Sequence, residues 1–430
     1  MGPKFYICLV IFVLTLISYC LKKIPMGLTG LISMLALCLT GCLPVADGLA
    51  LFANSNIVMM GGMMVVAMGF NRTQFCNKLS VGISNAAKGN LRIITFGYCV
   101  AGMLLSQFIQ SPTPVFGILA PMAAASVIAI GISPSKIVFP LGVTIIATCS
   151  TLPLGTGATV FAELNGYLES YGYTDYMVQI TDPAKARIPL LIICILYMTF
   201  VATKFSPEQP TIEIKSMSNN SAAKEALPPF AETAGYVIFI LTSVGLMLST
   251  KIGLPIWEIS VLGAVLMVLC GVLTPEEGIR SIPMDMLFLI IGALAMSSAL
   301  TETGVGTMIG DFVGGLVTAV NGNSYLVGLM FFMFPFLMTQ FMNNRGTMLV
   351  FHPIAIATCA SMGANPIGLM ILIQAACLSA FMTPMATPSV PYIMEAGGYD
   401  QKDMIKMSLL PAAIFCVVSV GWIMTVFPLF

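Results

Sequence analysis

Four short segments of polar or helix-breaking residues interrupt long apolar stretches of this sequence, and their residue types suit ion binding. In chain order they are Gln110-Ser111-Pro112-Thr113-Pro114, Leu154-Gly155-Thr156-Gly157, Asn343-Asn344-Arg345-Gly346 and Met385-Ala386-Thr387-Pro388. A helix that begins at such a break presents free N–H groups and a partial positive charge, which favour an anion. Unwound carbonyls and side-chain oxygens could instead hold a cation such as sodium; these side chains are Ser111, Thr113, Thr156, Asn343 and Thr387. A single Ser or Thr is usually explained by a helix–helix hydrogen bond, but four clustered breaks favour a binding site.

Arg345 carries the most specific chemistry of any single residue in these segments. A guanidinium near the middle of a bilayer costs on the order of 3 kcal/mol by insertion scales, so it needs a reason to be there. Its planar fork suits a carboxylate, which predicts a role in substrate binding. The alternative is a structural ion pair. The two apolar stretches around the polar tips, 92–130 and 324–364, contain no acidic residue, although an acid on another helix could still pair with Arg345.

Three other ionisable residues are candidates for proton chemistry. His352 is the one histidine in the chain, and we interpret it as a packed, hydrogen-bonded core residue rather than a proton carrier. Glu163 and Glu395 follow the second and fourth breaks at nearly corresponding positions. The favoured interpretation is that both glutamates reach interfacial water, and the rival interpretation is that they couple transport to protons.

Composition places these segments in a membrane protein. Of the 430 residues, 58% are hydrophobic and 8% are charged, whereas soluble domains are about a quarter charged. The net charge of zero argues against a nucleic-acid partner, which requires a basic surface. With one histidine, no Walker-type phosphate loop and no GxSxG motif, the sequence also argues against an enzyme. Membrane lipid and a small anion are the predicted partners.

The apolar pattern predicts an all-α polytopic membrane fold. A crossing helix needs about 20 apolar residues. The predicted spans are 5–21, 27–44, 54–70, 136–163, 187–204, 231–249, 255–272, 283–300, 367–394 and 406–428. The stretches 92–130 and 324–364 are too long for one crossing and are broken near their centres, which predicts two re-entrant hairpins.

The two halves of the chain resemble each other at an offset of about 230 residues. Gly41-Cys42-Leu43-Pro44 recurs as Gly271-Val272-Leu273-Thr274, and Gln110 recurs as Gln340. The predicted first repeat, 1–204, contains hairpin 92–130 and broken helix 136–163. The predicted second repeat, 231–430, contains hairpin 324–364 and broken helix 367–394, and the linker is 205–230. Each half has five crossings, an odd number, so the second half is inverted, which is typical of secondary transporters.

The basic residues predict an orientation for this topology. One side collects thirteen of the 18 Lys and Arg residues: Lys22, Lys23, Arg72, Lys78, Lys88, Arg92, Lys136, Lys204, Lys215, Lys224, Arg280, Lys402 and Lys406. The other side receives Lys4, Lys185, Arg187 and Lys251. The positive-inside rule places the thirteen in the cytoplasm. We therefore predict an inner (plasma) membrane protein with a cytoplasmic linker and both termini outside.

At its tips and breaks the chain resembles the divalent anion:sodium symporter family, the sodium-coupled di- and tricarboxylate and sulfate carriers. The similarity covers nearly the whole length. Members of that family carry a Ser-Asn-Thr motif at each hairpin tip, ten residues before a proline. Counting back ten from Pro121 gives Ser111-Pro112-Thr113, and counting back ten from Pro353 gives Asn343-Asn344-Arg345. Met385-Ala386-Thr387-Pro388-Ser389 is similar to the family's Ala-Thr-Pro-Pro-Asn element.

The resemblance implies a homodimer in which a transport domain moves against a scaffold. It also implies that the tip residues Ser111, Thr113, Asn343 and Asn344 bind substrate. The candidate substrate-binding residues further include Arg345 at the second tip, and Thr156 and Thr387 at the helix breaks. The candidate sodium ligands are Ser111, Gly155, Thr156, Asn343 and Ala386. No resident cofactor is expected, and sodium is a candidate coupling ion.

The sequence departs from the family motif at three tip positions. Pro112 replaces the Asn of the first tip, and Asn343 and Arg345 replace the Ser and Thr of the second. Because a guanidinium carries the same charge as sodium, Arg345 is predicted to replace one sodium ion, so that coupling needs fewer sodium ions or none.

The predicted function is secondary active transport of a di- or tricarboxylate by alternating access, as a sodium-coupled symporter or an anion exchanger. The alternatives are an inorganic oxyanion (sulfate-like) transporter and a proton-coupled carrier that uses Glu163 and Glu395. A channel is the least favoured alternative, because the sequence has no continuous polar pore-lining stripe.

Overall fold

A computed structural model describes residues 2–430 except 22, 76–81, 84–88, 110–111, 174, 213, 215–226, 283, 306–307, 309–322, 341–343 and 385. The side chains of Leu16, Tyr19, Cys20, Met26, Thr156, Met247, Thr250 and Met286 are also outside the description. Every regular element within the described residues is helical, which confirms the all-α fold.

The helices of the first half begin at the N-terminus and end before the linker. They are α1 (Pro3–Leu21), α2 (Met26–Leu39), α3 (Val45–Ala50), α4 (Ser55–Arg72), α5 (Leu91–Leu105), α6 (Pro112–Ile128), α7 (Val138–Thr148), α8 (Thr156–Ser170) and α9 (Asp182–Tyr197). Short 3₁₀ turns occur at Leu51–Ala53 and Pro134–Lys136. A π-helical turn at Met198–Ala202 extends α9 to Phe205.

The second half contains a similar series of helices. They are α10 (Pro229–Met247), α11 (Ser249–Ile252), α12 (Ile256–Leu269), α13 (Pro275–Arg280), α14 (Met284–Thr303), α15 (Ser324–Thr339), α16 (Asn344–Met362), α17 (Ile367–Cys377), α18 (Ser389–Gly397) and α19 (Gln401–Val426). Four described helical stretches are long and apolar enough to cross a membrane: Val45–Arg72, Asp182–Phe205, Pro229–Leu246 and Gln401–Val426. Several shorter apolar helices accompany them.

Local sequence explains where the paired helices α5–α6 and α15–α16 begin. Asn90 caps α5 by accepting a hydrogen bond from the backbone N–H of Arg92, and Asn323 caps α15 in the same way through Tyr325. Each second arm contains an internal proline, Pro121 in α6 and Pro353 in α16. These arms meet in the regions predicted as hairpins 92–130 and 324–364. The tip residues 110–111 and 341–343 lie outside the described residues.

Helix pairs from opposite halves approach closely at small residues. Helix α2 packs against α14, and α4 packs against α12. A Cβ atom at Gly292 would lie 2.3 Å from the Cα atom of Gly30, and a Cβ atom at Gly62 would lie 2.8 Å from the carbonyl carbon of Ser260. Positions 30 and 260, and positions 62 and 292, are each separated by the predicted offset of 230. These paired contacts are what an inverted repeat would produce, although the repeat itself stays a prediction.

Two interrupted helices lie beside the paired helices. Helix α7 ends at Thr148 and α8 begins at Thr156, while α17 ends at Cys377 and α18 begins at Ser389. Buried Tyr399 fixes α18 against the first half: its hydroxyl donates to the Ser135 carbonyl at 2.5 Å and accepts from the Phe139 N–H at 3.2 Å. Burial raises the pKa of the Tyr399 phenol, so this hydroxyl keeps its proton as a donor.

Candidate functional site

A cavity of about 380 Å³ lies where the two interrupted helices meet the paired helices. Its wall combines an arginine, two carboxylates, a histidine and several amides and hydroxyls with apolar side chains. The lining residues are Pro112, Cys149, Ser150, Val160, Glu163, Leu164, Asp285, Leu289, Asn344, Arg345, Met348, His352, Gln374, Leu378, Ala386, Thr387 and Pro388.

Three helix N-termini reach this cavity. Helix α6 begins at Pro112, α16 begins at Asn344, and α18 begins directly after Thr387 and Pro388. The Thr387 hydroxyl accepts a hydrogen bond at 3.1 Å from the N–H of Ser389, the first residue of α18. Because N-terminal turns carry partial positive charge, this arrangement favours a bound anion.

Arg345 is in the cavity wall, and its guanidinium is already paired. Its Nη1 atom lies 2.7 Å from Oε2 of Glu163, which is on α8. The Glu163 side chain is 7% exposed and that of Arg345 is 31% exposed. The expectation that Glu163 reaches interfacial water is therefore wrong. The reason is that α8 continues to Ser170 and so places Glu163 inside the protein rather than at a helix end.

The charges in the described part of the cavity wall sum to minus one, counting Glu163 and Asp285 as carboxylates and Arg345 as a cation. Asp285 accepts a hydrogen bond from the Gly27 N–H at 3.0 Å. Arg187 donates to the carbonyls of the wall residues Cys149 and Ser150, and its charge brings the sum around the cavity to zero. A bound anion would make this sum negative, and a co-bound cation or a proton would offset it.

Two buried acceptors in the wall are without a hydrogen-bond partner among the described residues, Nδ1 of His352 and Oε1 of Gln374. His352 is 1% exposed, as predicted for a core histidine, and its Nε2 lies 3.2 Å from the Met370 carbonyl. A carbonyl at that distance places the ring proton on Nε2, so Nδ1 is an acceptor. Both atoms are themselves buried, so neither is exposed to a ligand in the cavity.

Gln107 and Gln340 stabilise the two interrupted helices in corresponding ways. Oε1 of Gln107 accepts from the N–H groups of Thr151 and Leu152, both at 2.9 Å, and its Nε2 donates to the Thr148 carbonyl. Oε1 of Gln340 accepts from the Met382 N–H at 3.3 Å. Gln107 and Gln340 thus make similar contacts, whereas Gln110, the predicted counterpart of Gln340, lies outside the described residues.

Comparison with known proteins identifies the class to which this site belongs. A model of the citrate transporter family, CitMHS, matches residues 9–334, about three quarters of the chain. The chain belongs to the citrate transporter family. It is therefore a multi-pass membrane protein related to transporters, not to enzymes.

Individual relatives agree with this family assignment. The sodium-dependent dicarboxylate transporter SdcS of Staphylococcus aureus (strain USA300) is 22% identical over 448 aligned positions, which cover 94% of this chain and 83% of that protein. The Na(+)/dicarboxylate cotransporter 3 of Homo sapiens is 27% identical over 161 residues, 36% of this chain and 26% of its own length. The transporter sll0640 of Synechocystis is 28% identical over 154 residues, 36% of this chain and 25% of its own length. The chain thus matches about a quarter of the length of two of these three relatives.

Two solved transporter structures share the fold. The YdaH transporter of Alcanivorax borkumensis has a TM-score of 0.66 at 15% identity, covering 97% of this chain and 96% of that one. MtrF of Neisseria gonorrhoeae has a TM-score of 0.63 at 15% identity, covering 98% and 94%. These similarities establish the architecture of the family member described above and nothing about its substrate.

The structure brings some of the predicted site residues together and leaves others aside. Asn344, Arg345, Ala386 and Thr387 line the cavity. Thr113 lies beside it, where its hydroxyl forms a 2.9 Å hydrogen bond with the Ser389 hydroxyl and so joins α6 to α18. Ser111, Asn343 and the side chain of Thr156 lie outside the described residues.

Gly155 does not line the cavity, because it packs against the first hairpin. Its φ of 53° lies in the left-handed region, and a Cβ atom there would lie 2.6 Å from the Gln107 carbonyl oxygen. Three wall residues were not predicted as parts of the site: Asp285, Gln374 and Ser150. The signal that could have identified Gln374 is a polar residue within an apolar helix.

Proposed function

We propose that this family member carries a small carboxylate anion across the membrane by alternating access. The observation that supports this proposal most is the position of Arg345 in a cavity that three helix N-termini also reach. A guanidinium offers two parallel donors, which match the two oxygens of a carboxylate. The ion pair with Glu163 is then a resting state that a substrate carboxylate opens by replacing the glutamate.

A di- or tricarboxylate is the proposed substrate class, because the names of the Staphylococcus aureus and human relatives describe dicarboxylate transport. Sulfate and other inorganic oxyanions are the alternative substrates.

Coupling to a cation would offset the charge of a bound carboxylate. The names of the Staphylococcus aureus and human relatives describe sodium-dependent dicarboxylate transport. Asn344, Ala386 and Thr387 belong to the second-half segments where the sodium ligands were predicted, so sodium symport is the first candidate. Exchange of one anion for another remains compatible with the same cavity.

Proton coupling is the second candidate, and the position of Glu163 favours it. When substrate takes Arg345, Glu163 is left as a buried carboxylate that faces Arg345, Asp285 and His352 in the same wall. A buried carboxylate without a partner is strongly disfavoured, and one proton would neutralise it. This mechanism needs Glu163 alone, because Glu395 is not among the described residues that line the cavity.

The architecture of the carrier follows from the same proposal. We infer two inverted halves, 1–204 and 231–430, joined by a cytoplasmic linker at 205–230, in a plasma membrane with both termini outside. The two hairpins and interrupted helices would move together as a transport domain, and two copies would form a homodimer. The contacts that repeat at an offset of 230 support the inverted halves.

Uptake by purified protein in proteoliposomes tests the proposed function. Labelled succinate, malate, citrate and sulfate are offered with a sodium gradient, with a proton gradient, and with unlabelled anion inside. We expect saturable uptake of at least one carboxylate, and loss of that uptake in Arg345→Gln. Uptake of sulfate alone, or carboxylate uptake that survives in Arg345→Gln with unchanged KM, would overturn the proposal.

A further inference from the structure

Arg187 is a buried cation at the first helix break. The sequence predicted it among the outer charges, at the start of a span at 187–204. Helix α9 begins five residues earlier, at Asp182, and the Arg187 side chain is 1% exposed. The structure describes no carboxylate paired with it, in contrast to Lys185, which pairs with Asp182 at 3.0 Å.

The guanidinium of Arg187 contacts the C-terminal end of α7 through three carbonyl oxygens. Nη2 donates to Ala147 at 2.8 Å, and Nη1 donates to Cys149 at 3.0 Å and to Ser150 at 3.2 Å. Ser150 has a φ of 51°, an unusual backbone conformation for a residue other than glycine. A helix C-terminus carries partial negative charge, and interrupted membrane helices use such carbonyls to hold cations.

Four other carbonyls of this break also accept hydrogen bonds. Thr148 accepts from the Gln107 amide and from the Thr151 hydroxyl. The carbonyls of Leu152, Leu154 and Gly155 accept backbone N–H groups. Seven of the nine carbonyls from Ala147 to Gly155 therefore accept a hydrogen bond, three of them from one guanidinium. A second cation placed here would also meet the charge of Arg187 across a short distance in a medium of low dielectric.

The second break has neutral donors at the corresponding place. The Met382 carbonyl accepts from Nε2 of Gln401 at 2.9 Å, and the Phe381 carbonyl accepts from the Ser408 hydroxyl at 3.4 Å. Among the described residues around this break, Arg345 is directed to Glu163 rather than to these carbonyls. The two breaks thus differ by one unit of positive charge held on backbone oxygens.

We infer that Arg187 is a permanent internal cation that takes the place of an exchangeable metal ion at the first break. The first-half sodium ligands predicted from Gly155 and Thr156 then bind no sodium, and any coupling cation is confined to the second half. The part of this inference that concerns coupling rests on the proposed function. The part that concerns the occupied break does not, because it can be tested without substrate.

Thermal unfolding of the purified protein tests whether Arg187 acts as a cation. Melting curves are recorded at equal ionic strength in choline chloride, in sodium chloride, and in choline chloride with a low, non-denaturing concentration of guanidinium chloride. In choline, Arg187→Ala is expected to melt about 5 °C or more below wild type, since the carbonyls lose their partner. Sodium or guanidinium ions that enter the vacated space should recover a saturable part of this loss.

Two further variants keep the test decisive. Lys185→Ala removes a positive charge from the same helix at an exposed position and should show no added response to either ion. Arg187→Lys retains the positive charge but lacks the forked guanidinium donors, so its melting temperature should lie between those of wild type and Arg187→Ala. Neither sodium nor guanidinium ions should raise it. This variant also serves if Arg187→Ala does not fold. The inference is overturned if Arg187→Ala loses the same stability in all three solutions, or if Lys185→Ala shows an equal rescue.

Wild-type transport supplies an independent measurement. If the first break is permanently occupied, the dependence of uptake on sodium concentration has a Hill coefficient no greater than about 1. A coefficient near 2, or two sodium ions moved per substrate by charge measurement, would overturn the inference. If no carboxylate were transported at all, the proposed function would fail while the thermal measurements on Arg187 kept their meaning.

Discussion

The carboxylate of Glu163 and the guanidinium of Arg345 form a 2.7 Å ion pair across the cavity, although 182 residues separate them in the chain. The pair joins the interrupted helix of one half to the hairpin arm of the other. In this pair Glu163 holds the Arg345 guanidinium, the group that a substrate carboxylate would need to bind. Glu163 is therefore placed to compete with substrate for Arg345.

Replacing Glu163 by glutamine tests this competition. Glu163→Gln keeps the size of the side chain and removes its charge, so a substrate carboxylate no longer displaces a charge-assisted hydrogen bond. We expect the KM for the transported carboxylate to fall about tenfold, since such a bond contributes about 1.5–3 kcal/mol. If Glu163 is the proton carrier, uptake by the variant also stops responding to a pH gradient. Initial rates of uptake into proteoliposomes measure both effects.

The matched control for this variant is Glu169→Gln. Glu169 lies on the same helix, outside the cavity, and accepts a hydrogen bond from the Asn56 amide at 3.1 Å. Its substitution should leave the KM unchanged. An increase in KM for Glu163→Gln would show that the glutamate assists binding and would contradict the competition.

A double-mutant cycle separates the structural part of the ion pair from its part in transport. Arg345→Gln leaves the carboxylate of Glu163 buried without its partner, which is expected to cost about 3 kcal/mol of stability. The double variant Glu163→Gln, Arg345→Gln removes both charges and should recover most of that loss in the melting temperature. It should not recover uptake, because the anion-binding guanidinium is still absent. Recovery of uptake would mean that Arg345 serves only to neutralise Glu163.

Sequence patterns predicted the helices of this fold better than they predicted the contacts between them. The apolar runs gave the helices to within a few residues, and the polar tips marked the start of α6 and α16. The errors arose at helix ends. Helix α8 continues through Asn165, whose side chain bonds to the backbone of Val178, so the end of the apolar run at Glu163 was not the end of the helix.

The site was predicted only in part, because apolar runs indicate helices but not the contacts between them. Thr387 and Arg345 could be identified because they interrupt apolar sequence. Their partners are specified by tertiary contacts: Glu163 by its distance from Arg345, and Gln107 by bonds to residues 44 and 45 positions away. Arg345 was expected to act as a free cation in place of sodium, whereas its charge is paired. The buried cation at backbone carbonyls is instead Arg187, which sequence alone gave no reason to choose.

The predicted orientation is tested by cysteine labelling. A cysteine at Ser218 in the linker should resist an impermeant thiol reagent in intact cells, and a cysteine at exposed Asp175, between α8 and α9, should react. Arg187 no longer counts as an outer charge, which leaves three outer basic residues against thirteen and strengthens the bias. Both cysteines are introduced into a variant without reactive native thiols. Labelling at Ser218 and protection at Asp175 would reverse the orientation.

The two glutamines at the helix breaks should differ in their contribution to stability. Gln107 is fully buried and satisfies two backbone N–H groups at 2.9 Å, whereas Gln340 satisfies one at 3.3 Å. A buried donor left unpaired costs about 1–3 kcal/mol, so Gln107→Leu is expected to lower the unfolding free energy by about twice as much as Gln340→Leu. Melting temperatures of the two variants in one detergent make the comparison, and equal losses would show that these hydrogen bonds do not hold the first break.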